Sequence, residues 1–249
     1  MVKAVFVISQ LSPLPEETKT RFNIIEIPSP VYIDKEEYLD NNLPFSKEKM
    51  CSLLLDDNVS INTSQSPPSD YAEVFRNISP ETPIFVFCLS NKLSAYIKSA
   101  LTAKEQFPDH DITVIDTLCP PPMPTLQALW AARTAEKVSS VEELKERIAS
   151  FPKKAGLFWI FRSLKYLYKS GRISAAQAFL GKMIQLVPIV APNEEGILST
   201  VAKTRRINKA IQKACDLVSE KARQCEGETV DMVIIYTGNR ENAENLDKE

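Results

Sequence analysis

The sequence predicts an α/β protein, with an N-terminal parallel sheet covered by helices on both faces and a C-terminal α+β domain. Apolar segments alternate with helical patterns along the first half of the chain, and this β-α-β order is typical of a parallel sheet. The apolar segments are continuous, as expected for strands that are buried on both faces. Composition shifts at Phe-Pro-Lys-Lys-Ala-Gly, residues 151–156, which predicts one domain over residues 1–152 and a second over 153–249.

Strands and helices are predicted in alternation through the N-terminal domain. The predicted strands are Val2–Ser9, Asn23–Ile27, Pro83–Leu89 and Asp111–Ile115, with an extended segment over 28–33. The predicted helices are Glu16–Phe22, Lys47–Leu55, Ser66 to about Ile78, Leu93–Gln106, Thr125–Lys137 and Val141–Ser150. Ser46 precedes the second helix and Pro67 lies in the first turn of the third, as helix starts require. Residues 119–124 form a proline-rich connector.

The C-terminal domain is predicted to mix strands and helices. Its predicted strands are Leu157–Phe161, a hairpin of Val187–Val190 with Ile197–Lys203, and Val230–Tyr236. Its predicted helices are Ser163–Ser170, Ser174–Leu186, Thr204–Cys225 and one that begins at Asn239. Gly171 follows the first of these helices, where a left-handed residue usually ends a helix.

Charge and cysteine content exclude several classes of function. With 30 Lys and Arg against 32 Asp and Glu, no net field draws the chain to nucleic acid or anionic lipid. No apolar run is long enough to span a membrane, and the first ten residues predict a strand rather than a signal peptide. The five cysteines are an odd number without close pairs, which indicates reduced thiols and a cytoplasmic location. Cys88 lies within an apolar strand and is expected in the core.

Glycine and histidine exclude most cofactor sites. All six glycines lie at or after Gly156, so the first domain has no Gly-rich loop for a nucleotide phosphate. The single histidine, His110, is predicted to be a solvated loop residue, and one imidazole cannot build a His-rich metal site. No cofactor and no metal are therefore expected.

Three polar segments are candidate binding sites. Asn-Thr-Ser-Gln-Ser at 62–66 precedes a helix, and Ser-Asn-Lys-Leu-Ser at 90–94 connects a buried strand to a helix. Their hydroxyl groups either cap these helices or, together with the helix N–H groups, capture an anion. The third segment is Leu164–Ile173. In it, Arg172 follows Gly171 and either complements a helix dipole or binds a carboxylate or a partner.

Several short motifs occur in a fixed order along the chain. They are Thr-Ser-Gln-Ser at 63–66, Leu-Ser at 89–90 with Leu-Ser at 93–94, Val-Ile-Asp-Thr at 114–117, Ser-Gly-Arg-Ile-Ser at 170–174, Val-Pro-Ile at 187–189, and Lys-Thr-Arg-Arg-Ile-Asn-Lys at 203–209. Together they resemble the DegV family of fatty-acid-binding proteins, the lipid-carrying subunits of bacterial fatty acid kinase. The resemblance covers nearly the whole chain.

The resemblance implies that the protein is not an enzyme. It implies a monomer that holds a long-chain fatty acid between or beneath its two domains and presents the carboxylate to a kinase. Residue by residue, the carboxylate-binding hydroxyl groups would belong to Thr63, Ser64, Ser90 and Ser94. Arg172 would lie near the ligand and the surface that faces the partner. We therefore expect a pocket between these four hydroxyl residues and the first elements of the second domain.

The sequence also departs from the family pattern. Ile-Ser-Gln at 8–10 stands where the family has Thr-Asp-Ser, Ala95-Tyr96 replaces the usual Gly-Thr, and Lys92 replaces a glycine. A Gly-rich segment with a histidine that the family carries near its C-terminus has no counterpart, so the second domain is expected to be incomplete.

Two other functions stay open. A divergent member of the family could have lost its lipid and act as an interaction module through the basic face Arg206, Lys209 and Lys213 of the long helix. A serine-dependent acyl hydrolase or transferase would use Ser90 or Ser94, although no base lies nearby in sequence.

Overall fold

The computed structural model describes residues 1–9, 14–56, 58–162, 164, 167–168, 170–172, 186–225 and 232–236, with the backbone only for Lys47, Lys153 and Lys154. The chain divides into two compact units, Met1–Ser150 and Phe151–Glu249. The strands are β1 Val5–Ser9, β2 Ile24–Ile27, β3 Pro30–Ile33, β4 Glu36–Leu39, β5 Ile61–Thr63, β6 Ile84–Cys88, β7 Ile112–Asp116, β8 Trp159–Ile160, β9 Val187–Pro192 and β10 Leu198–Thr204. The helices are α1 Glu16–Phe22, α2 Lys47–Leu55, α3 Pro68–Arg76, α4 Tyr96–Lys104, α5 Met123–Ala135, α6 Val141–Lys154 and α7 Ile207–Arg223.

A four-stranded parallel sheet forms the centre of the first unit, which confirms the predicted fold class. Its strand order is β2-β1-β6-β7, and every neighbouring pair is parallel. The inner strand β6 has no residue more than 1% exposed. Its continuous apolar sequence, Ile-Phe-Val-Phe-Cys, follows from this burial on both faces. Cys88 is part of that core, as expected.

Alternate residues of the inner strands face two different helix pairs, because successive side chains of a strand point to opposite sides. One face packs against α5 and α6 in a single apolar cluster. That cluster includes Phe6, Ile8, Phe85, Phe87, Ala128, Ala131 and Leu144. On the other face, the Tyr71 hydroxyl of α3 is hydrogen-bonded to Cys88.

A small antiparallel sheet, with strand order β4-β3-β5, is inserted between β2 and α3. The sequence predicts only an extended segment here, since β4 begins with two glutamates and β5 is three residues long. Asp34 turns the chain between β3 and β4 with a φ of 55°. Its carboxylate accepts the N–H of Ser60 at 3.0 Å, and its own N–H donates to the Ser60 carbonyl at 2.7 Å, which ties the hairpin to β5.

The second unit contains an antiparallel sheet of order β10-β9-β8. The β9–β10 pair confirms the predicted hairpin, and Asn193 stabilises its turn by accepting the N–H groups of Glu195 and Ile197. Helix α7 packs on this sheet through Ala210 and Ala214, which contact Ile189. The amphipathic pattern of the long helix is therefore confirmed, with its described bounds inside the predicted ones.

The predicted strand Val230–Tyr236 is wrong for the part of it that the structure describes. Residues 232–236 form no strand, and Met232, Val233 and Ile235 are 53–60% exposed. High β propensity alone does not make a strand, because a strand needs a partner edge and a face to bury. The predicted helices Ser174–Leu186 and Asn239–Glu249 lie outside the described residues, except for Leu186.

Helix α6 differs from its prediction at its C-terminal end. It continues through Pro152 to Lys154, so the composition shift at 151–156 begins within a helix. The division of roles between the two predicted domains, with head-group loops in the first and a cover for the acyl chain in the second, stays a prediction.

Candidate functional site

The carboxyl edge of the central sheet carries buried hydroxyl groups. Each of the four strands ends in, or is followed within two residues by, a serine or threonine that is at most 3% exposed. These residues are Ser9 on β1, Ser29 after β2, Ser90 after β6 and Thr117 after β7. Parallel strands end at the same edge of a sheet, which is where open α/β sheets bind ligands. Burial of a hydroxyl group is unfavourable without a hydrogen bond, so the partners of these groups define the site.

Ser90 fixes the loop between β6 and α4. Its N–H donates to the carbonyl oxygen of Cys119 at 3.0 Å, and its hydroxyl accepts the N–H of Lys92 at 3.2 Å. Its carbonyl oxygen accepts the N–H groups of Leu93 and Ser94 at 2.9 and 3.1 Å. Ser94 therefore lies on a hydrogen-bonded turn, half-buried, just before α4.

Neither polar segment supplies the helix cap that its sequence allows. Helix α4 begins at Tyr96 with Ala95 in the N-cap position, and no side chain caps it. Helix α3 has Pro67 in that position, and the hydroxyl of Ser66 donates instead to the carbonyl oxygen of Pro28 at 2.8 Å. Uncapped N–H groups and the helix dipole favour an anion at the start of α4.

Thr63 and Ser64 follow the edge of the small sheet. Thr63 is the last residue of β5, is exposed and pairs with Val31. The N–H of Ser64 donates to the carbonyl oxygen of Pro30 at 3.0 Å, and its hydroxyl donates to Oε1 of Gln65 at 3.4 Å. Pairing with β3 in the small sheet thus fixes the position of the Thr63–Ser64 segment.

The Tyr96 hydroxyl connects the two predicted halves of the site. It is hydrogen-bonded to Oγ of Ser29 at 2.7 Å and to the carbonyl oxygen of Ser64 at 3.2 Å. The segment of Thr63 and Ser64 and the segment that begins at Ser94 are thereby joined in one hydrogen-bond network. The connection runs through a backbone carbonyl rather than through the hydroxyl groups of Thr63 and Ser94.

Two carboxylates flank these loops. Asp116 accepts the N–H of Leu118 at 2.9 Å and the N–H of Asn91 at 3.2 Å, and so ties the loop after β7 to the loop after β6. On the other side, Asp40 accepts the N–H of Ser29 at 2.9 Å and donates its own N–H to the Ser29 carbonyl at 3.0 Å. Burial, opposed by backbone hydrogen bonds, raises the pKa of Asp40 to about 6.

Burial also raises the pKa of three other side chains in this region. It raises the pKa of Tyr96 to about 12, of Cys88 to about 12 and of Cys119 to about 11, and the charge of Asp116 adds to the shift of both thiols. Both cysteines therefore stay as neutral thiols at neutral pH, which makes them poor nucleophiles. The Tyr96 hydroxyl likewise keeps its proton and can donate.

Two buried oxygen atoms of this region have no hydrogen-bond partner among the described residues. They are Oγ of Ser9 and Oδ2 of Asp40. Native structures leave few buried polar groups unpaired, and such groups often lie where a water molecule or a ligand completes the structure. Ser9, Ser29 and Tyr96 were not predicted from the sequence as site residues. The signal that could have found the two serines is a hydroxyl residue at the end of each apolar run.

Arg172 lies in the second unit, at the end of a well-defined turn. Gly171 has a φ of 71°, and its N–H donates to the carbonyl oxygen of Tyr168 at 3.0 Å. The N–H of Arg172 donates to Leu167 at 3.1 Å, and the two bonds together form a Schellman motif, as the glycine predicts. The Arg172 guanidinium donates to the carbonyl oxygen of Ser170 at 2.5 Å. Its predicted contact with a ligand or partner stays a prediction.

His110 is not the solvated loop residue that the sequence predicts. Its Nε2 lies 3.1 Å from the carbonyl oxygen of Ile78, its ring packs edge-on against Phe107, and its Nδ1 is buried. The sequence Phe-Pro-Asp-His-Asp looks polar, but Phe107 anchors the loop to the core through Phe75. His110 precedes β7 and so lies at the amino edge of the sheet, opposite the serines.

The described residues contain no group of three His, Cys, Asp or Glu side chains placed to hold a metal ion. None of the helices described has the length and apolar character that a membrane span requires.

Two surface depressions of the first unit lie away from the predicted site. A depression of about 710 Å³ runs between α1 and the end of α5, and one of about 440 Å³ lies beside His110. Thr63, Ser64, Ser90 and Ser94 line neither of them. The pocket expected between the two predicted domains stays a prediction.

Comparisons with known proteins identify the family. A family model described as an uncharacterised protein of the DegV family matches residues 7–249. A DegV domain-containing protein of Caldanaerobacter subterraneus subsp. tengcongensis is 30% identical over 218 residues, which cover 87% of this chain and 76% of that protein.

Two solved structures extend the comparison to the fold. A DegV family protein of Thermus thermophilus, described by its fatty acid binding, superposes with a TM-score of 0.80 at 24% identity, over 91% of this chain and 79% of that one. A fatty-acid-binding DegV family protein of Streptococcus agalactiae gives a TM-score of 0.88 at 20% identity, over 100% of this chain and 87% of that one. Family model, sequence relative and fold agree, and the chain belongs to the DegV family.

Proposed function

We propose that this protein binds a long-chain fatty acid and presents its carboxylate to a partner such as a fatty acid kinase. The observation that carries the proposal is the network at the carboxyl edge of the sheet, where hydroxyl residues from separate loops meet the uncapped start of α4. Membership of the DegV family supports it, because the related proteins of Thermus thermophilus and Streptococcus agalactiae are described as fatty-acid-binding.

The chemistry of the loops suits a carboxylate. A carboxylate that leaves water loses several kcal/mol unless donors converge on it. Ser94 precedes Ala95, the N-cap residue of α4, and the dipole of this helix favours a negative charge by about 0.3–1 kcal/mol. Thr63, Ser64 and Ser90 would supply further hydroxyl groups, and the exposed Lys92 adds a cation to the same loop.

Burial of the acyl chain would supply most of the affinity. Each buried methylene contributes about 0.8 kcal/mol, so a chain of about 14 methylenes contributes roughly 11 kcal/mol before the loss of freedom on association. The hydroxyl groups then orient the ligand more than they retain it. Such a protein works as a monomeric cytoplasmic carrier without catalysis of its own, and Arg172 faces the partner.

Solvent extraction followed by mass spectrometry tests the binding half of the proposal. The purified protein should retain a long-chain fatty acid, and a delipidated sample should bind a dansyl-labelled fatty acid. A protein that is empty and does not bind added lipid would contradict the proposal and favour an interaction module. Acyl-ester turnover that Ser90→Ala or Ser94→Ala abolishes would instead favour the serine-dependent enzyme.

The Ser94→Ala variant tests the head-group site. Loss of a donor to a desolvated carboxylate costs about 1.5–3 kcal/mol, which is about tenfold or more in affinity. Ser52→Ala, which removes an exposed hydroxyl from α2, is the matched control. Lys92 could replace the lost donor, so Lys92→Ala is combined with Ser94→Ala. Unchanged affinity in that double variant would show that this loop does not hold the carboxylate.

The Arg172→Ala variant tests presentation to the partner. The fatty acid should bind as in the wild type, while phosphorylation of the bound lipid by an added fatty acid kinase should fall. A parallel loss of binding would assign Arg172 to the ligand instead, and unchanged phosphorylation would remove it from the partner surface.

A further inference from the structure

We infer that Tyr96 is a positioning residue of the fatty acid site, which holds the Thr63–Ser64 segment against the start of α4 through its hydroxyl group. This inference rests on the proposed function, because it assigns a role within that site. Its first support is burial: Tyr96 is 3% exposed, so its hydroxyl has been taken out of water and depends on the hydrogen bonds that it makes inside the protein.

One end of this connection is fixed independently of Tyr96. Ser29 and Asp40 hold each other in both directions, since the N–H of each residue donates to an oxygen of the other, at 2.9 and 3.0 Å. The Ser29 hydroxyl, whose Oγ lies 2.7 Å from the Tyr96 hydroxyl, therefore belongs to a residue that Asp40 holds by two hydrogen bonds. Ser29 itself is 1% exposed.

The other end is the peptide that carries the predicted ligand residues. The N–H of Ser64 donates to Pro30, and the Ser64 carbonyl accepts from Tyr96 at 3.2 Å. Residue 64 is thus held on both sides, by β3 through its N–H and by α4 through its carbonyl. Removal of the tyrosine hydroxyl leaves the segment held by β3 alone, so the hydrogen bond between the Ser64 N–H and Pro30 should open more often.

The protonation state supports a permanent connection rather than a switch. Burial raises the pKa of Tyr96 to about 12, so the hydroxyl remains a donor throughout the neutral range. Asp40 adds to this shift by its charge, and the Ser29 hydrogen bond opposes it. The Tyr96 side chain therefore sets the distance between two loops that approach the site from different sheets, a geometry that ligand affinity depends on strongly.

Tyr71 provides a matched control. It lies on α3, on the same face of the central sheet, is 1% exposed and is hydrogen-bonded to Cys88 rather than to the site loops. Tyr71→Phe and Tyr96→Phe each remove one buried hydroxyl, so a general loss of stability should appear in both. Ser29→Ala removes the fixed partner without any change to α4.

The test measures amide hydrogen exchange of the full-length protein and its affinity for a dansyl-labelled long-chain fatty acid. Tyr96→Phe should speed exchange at the Ser64 amide and lower affinity about three- to tenfold, the equivalent of one neutral hydrogen bond. Tyr71→Phe should do neither. In combination with Thr63→Ala, Tyr96→Phe should add less than its separate effect, because both changes act on one segment.

Three results would overturn the inference. They are unchanged exchange at Ser64 in Tyr96→Phe, an affinity loss equal to that of Tyr71→Phe, or fully additive effects with Thr63→Ala. If the wild-type protein binds no fatty acid, the proposed function fails and Tyr96 has no ligand site to position. Exchange at Ser64 would then still show separately whether the hydroxyl holds the segment.

Discussion

Asp40→Asn should stabilise the first unit at neutral and alkaline pH. Burial raises the pKa of Asp40 from 3.8 to about 6, with a smaller contribution from the charge of Glu26. Its Oδ1 accepts the N–H of Ser29, which an asparagine oxygen also accepts, while its buried Oδ2 has no partner among the described residues. Asparagine therefore keeps this acceptor and removes the charge, and its NH2 group takes the place of Oδ2.

The direction of the pKa shift decides how the contribution of Asp40 to stability changes with pH. Because the folded state holds the proton more tightly than the unfolded state, the contribution of Asp40 to stability is fully present below about pH 3.8 and is lost as the pH rises through about 6. The full shift corresponds to roughly 3 kcal/mol. The side chain keeps part of its contact with solvent, which reduces this to about 1–2 kcal/mol.

Urea unfolding at several pH values measures the effect. Trp130 packs against the core of the first unit, and a Trp159→Phe background removes the other tryptophan of the chain, so fluorescence reports that unit alone. The difference in unfolding free energy between Asp40→Asn and its parent should be small at pH 4.5 and should grow to about 1–2 kcal/mol at pH 8. Asp109→Asn, which changes an exposed loop carboxylate, is the control.

A difference that does not vary with pH would refute this reasoning. Such a result means that burial does not penalise the ionised carboxylate.

Two further substitutions test the core of the first unit and the turn at Gly171 in the second unit. Phe85→Ala should lower the unfolding free energy of the first unit by about 3–5 kcal/mol, because the side chain is fully buried between β1 and α5; a loss below about 1 kcal/mol in urea unfolding would contradict this packing. Gly171→Ala should cost about 1–2 kcal/mol, since a Cβ meets no atom there but φ is 71°, and the thermal midpoint of the second unit should fall; an unchanged midpoint would show that the left-handed turn is not required.

The central sheet was predictable because each of its strands carries its own signal. Residues 5–8 and Ile84–Cys88 are apolar without interruption, and burial on both faces is the physical reason for that pattern. Helices α1 and α2 have the predicted bounds, since a charged first turn and Ser46 mark their starts. The small sheet was not predictable, because Glu36–Leu39 is polar and its pairing depends on distant Ile61–Thr63.

The candidate site was predictable only in part. Ser90 and Ser94 were selected because they follow a buried strand, and Thr63 and Ser64 because their segment precedes a helix. The family resemblance then assigned the carboxylate to all four residues. The role of Tyr96 was not visible, since a tyrosine at the first position of a helix has no local signature. Its partners Ser29 and Ser64 lie 67 and 32 residues away in the sequence, so only the fold brings them together.

The order of strands in the central sheet has a consequence for synthesis of the protein. Val5 pairs with Ile84, so β1 acquires its inner neighbour only after the ribosome has released β6 and everything before it. Until then the central sheet can form only its β1–β2 pair, whose inner edge and apolar faces are open to water. This stage is the one at which the growing chain is most exposed to aggregation and to capture by chaperones. Slower translation between Pro30 and Pro83 would prolong it.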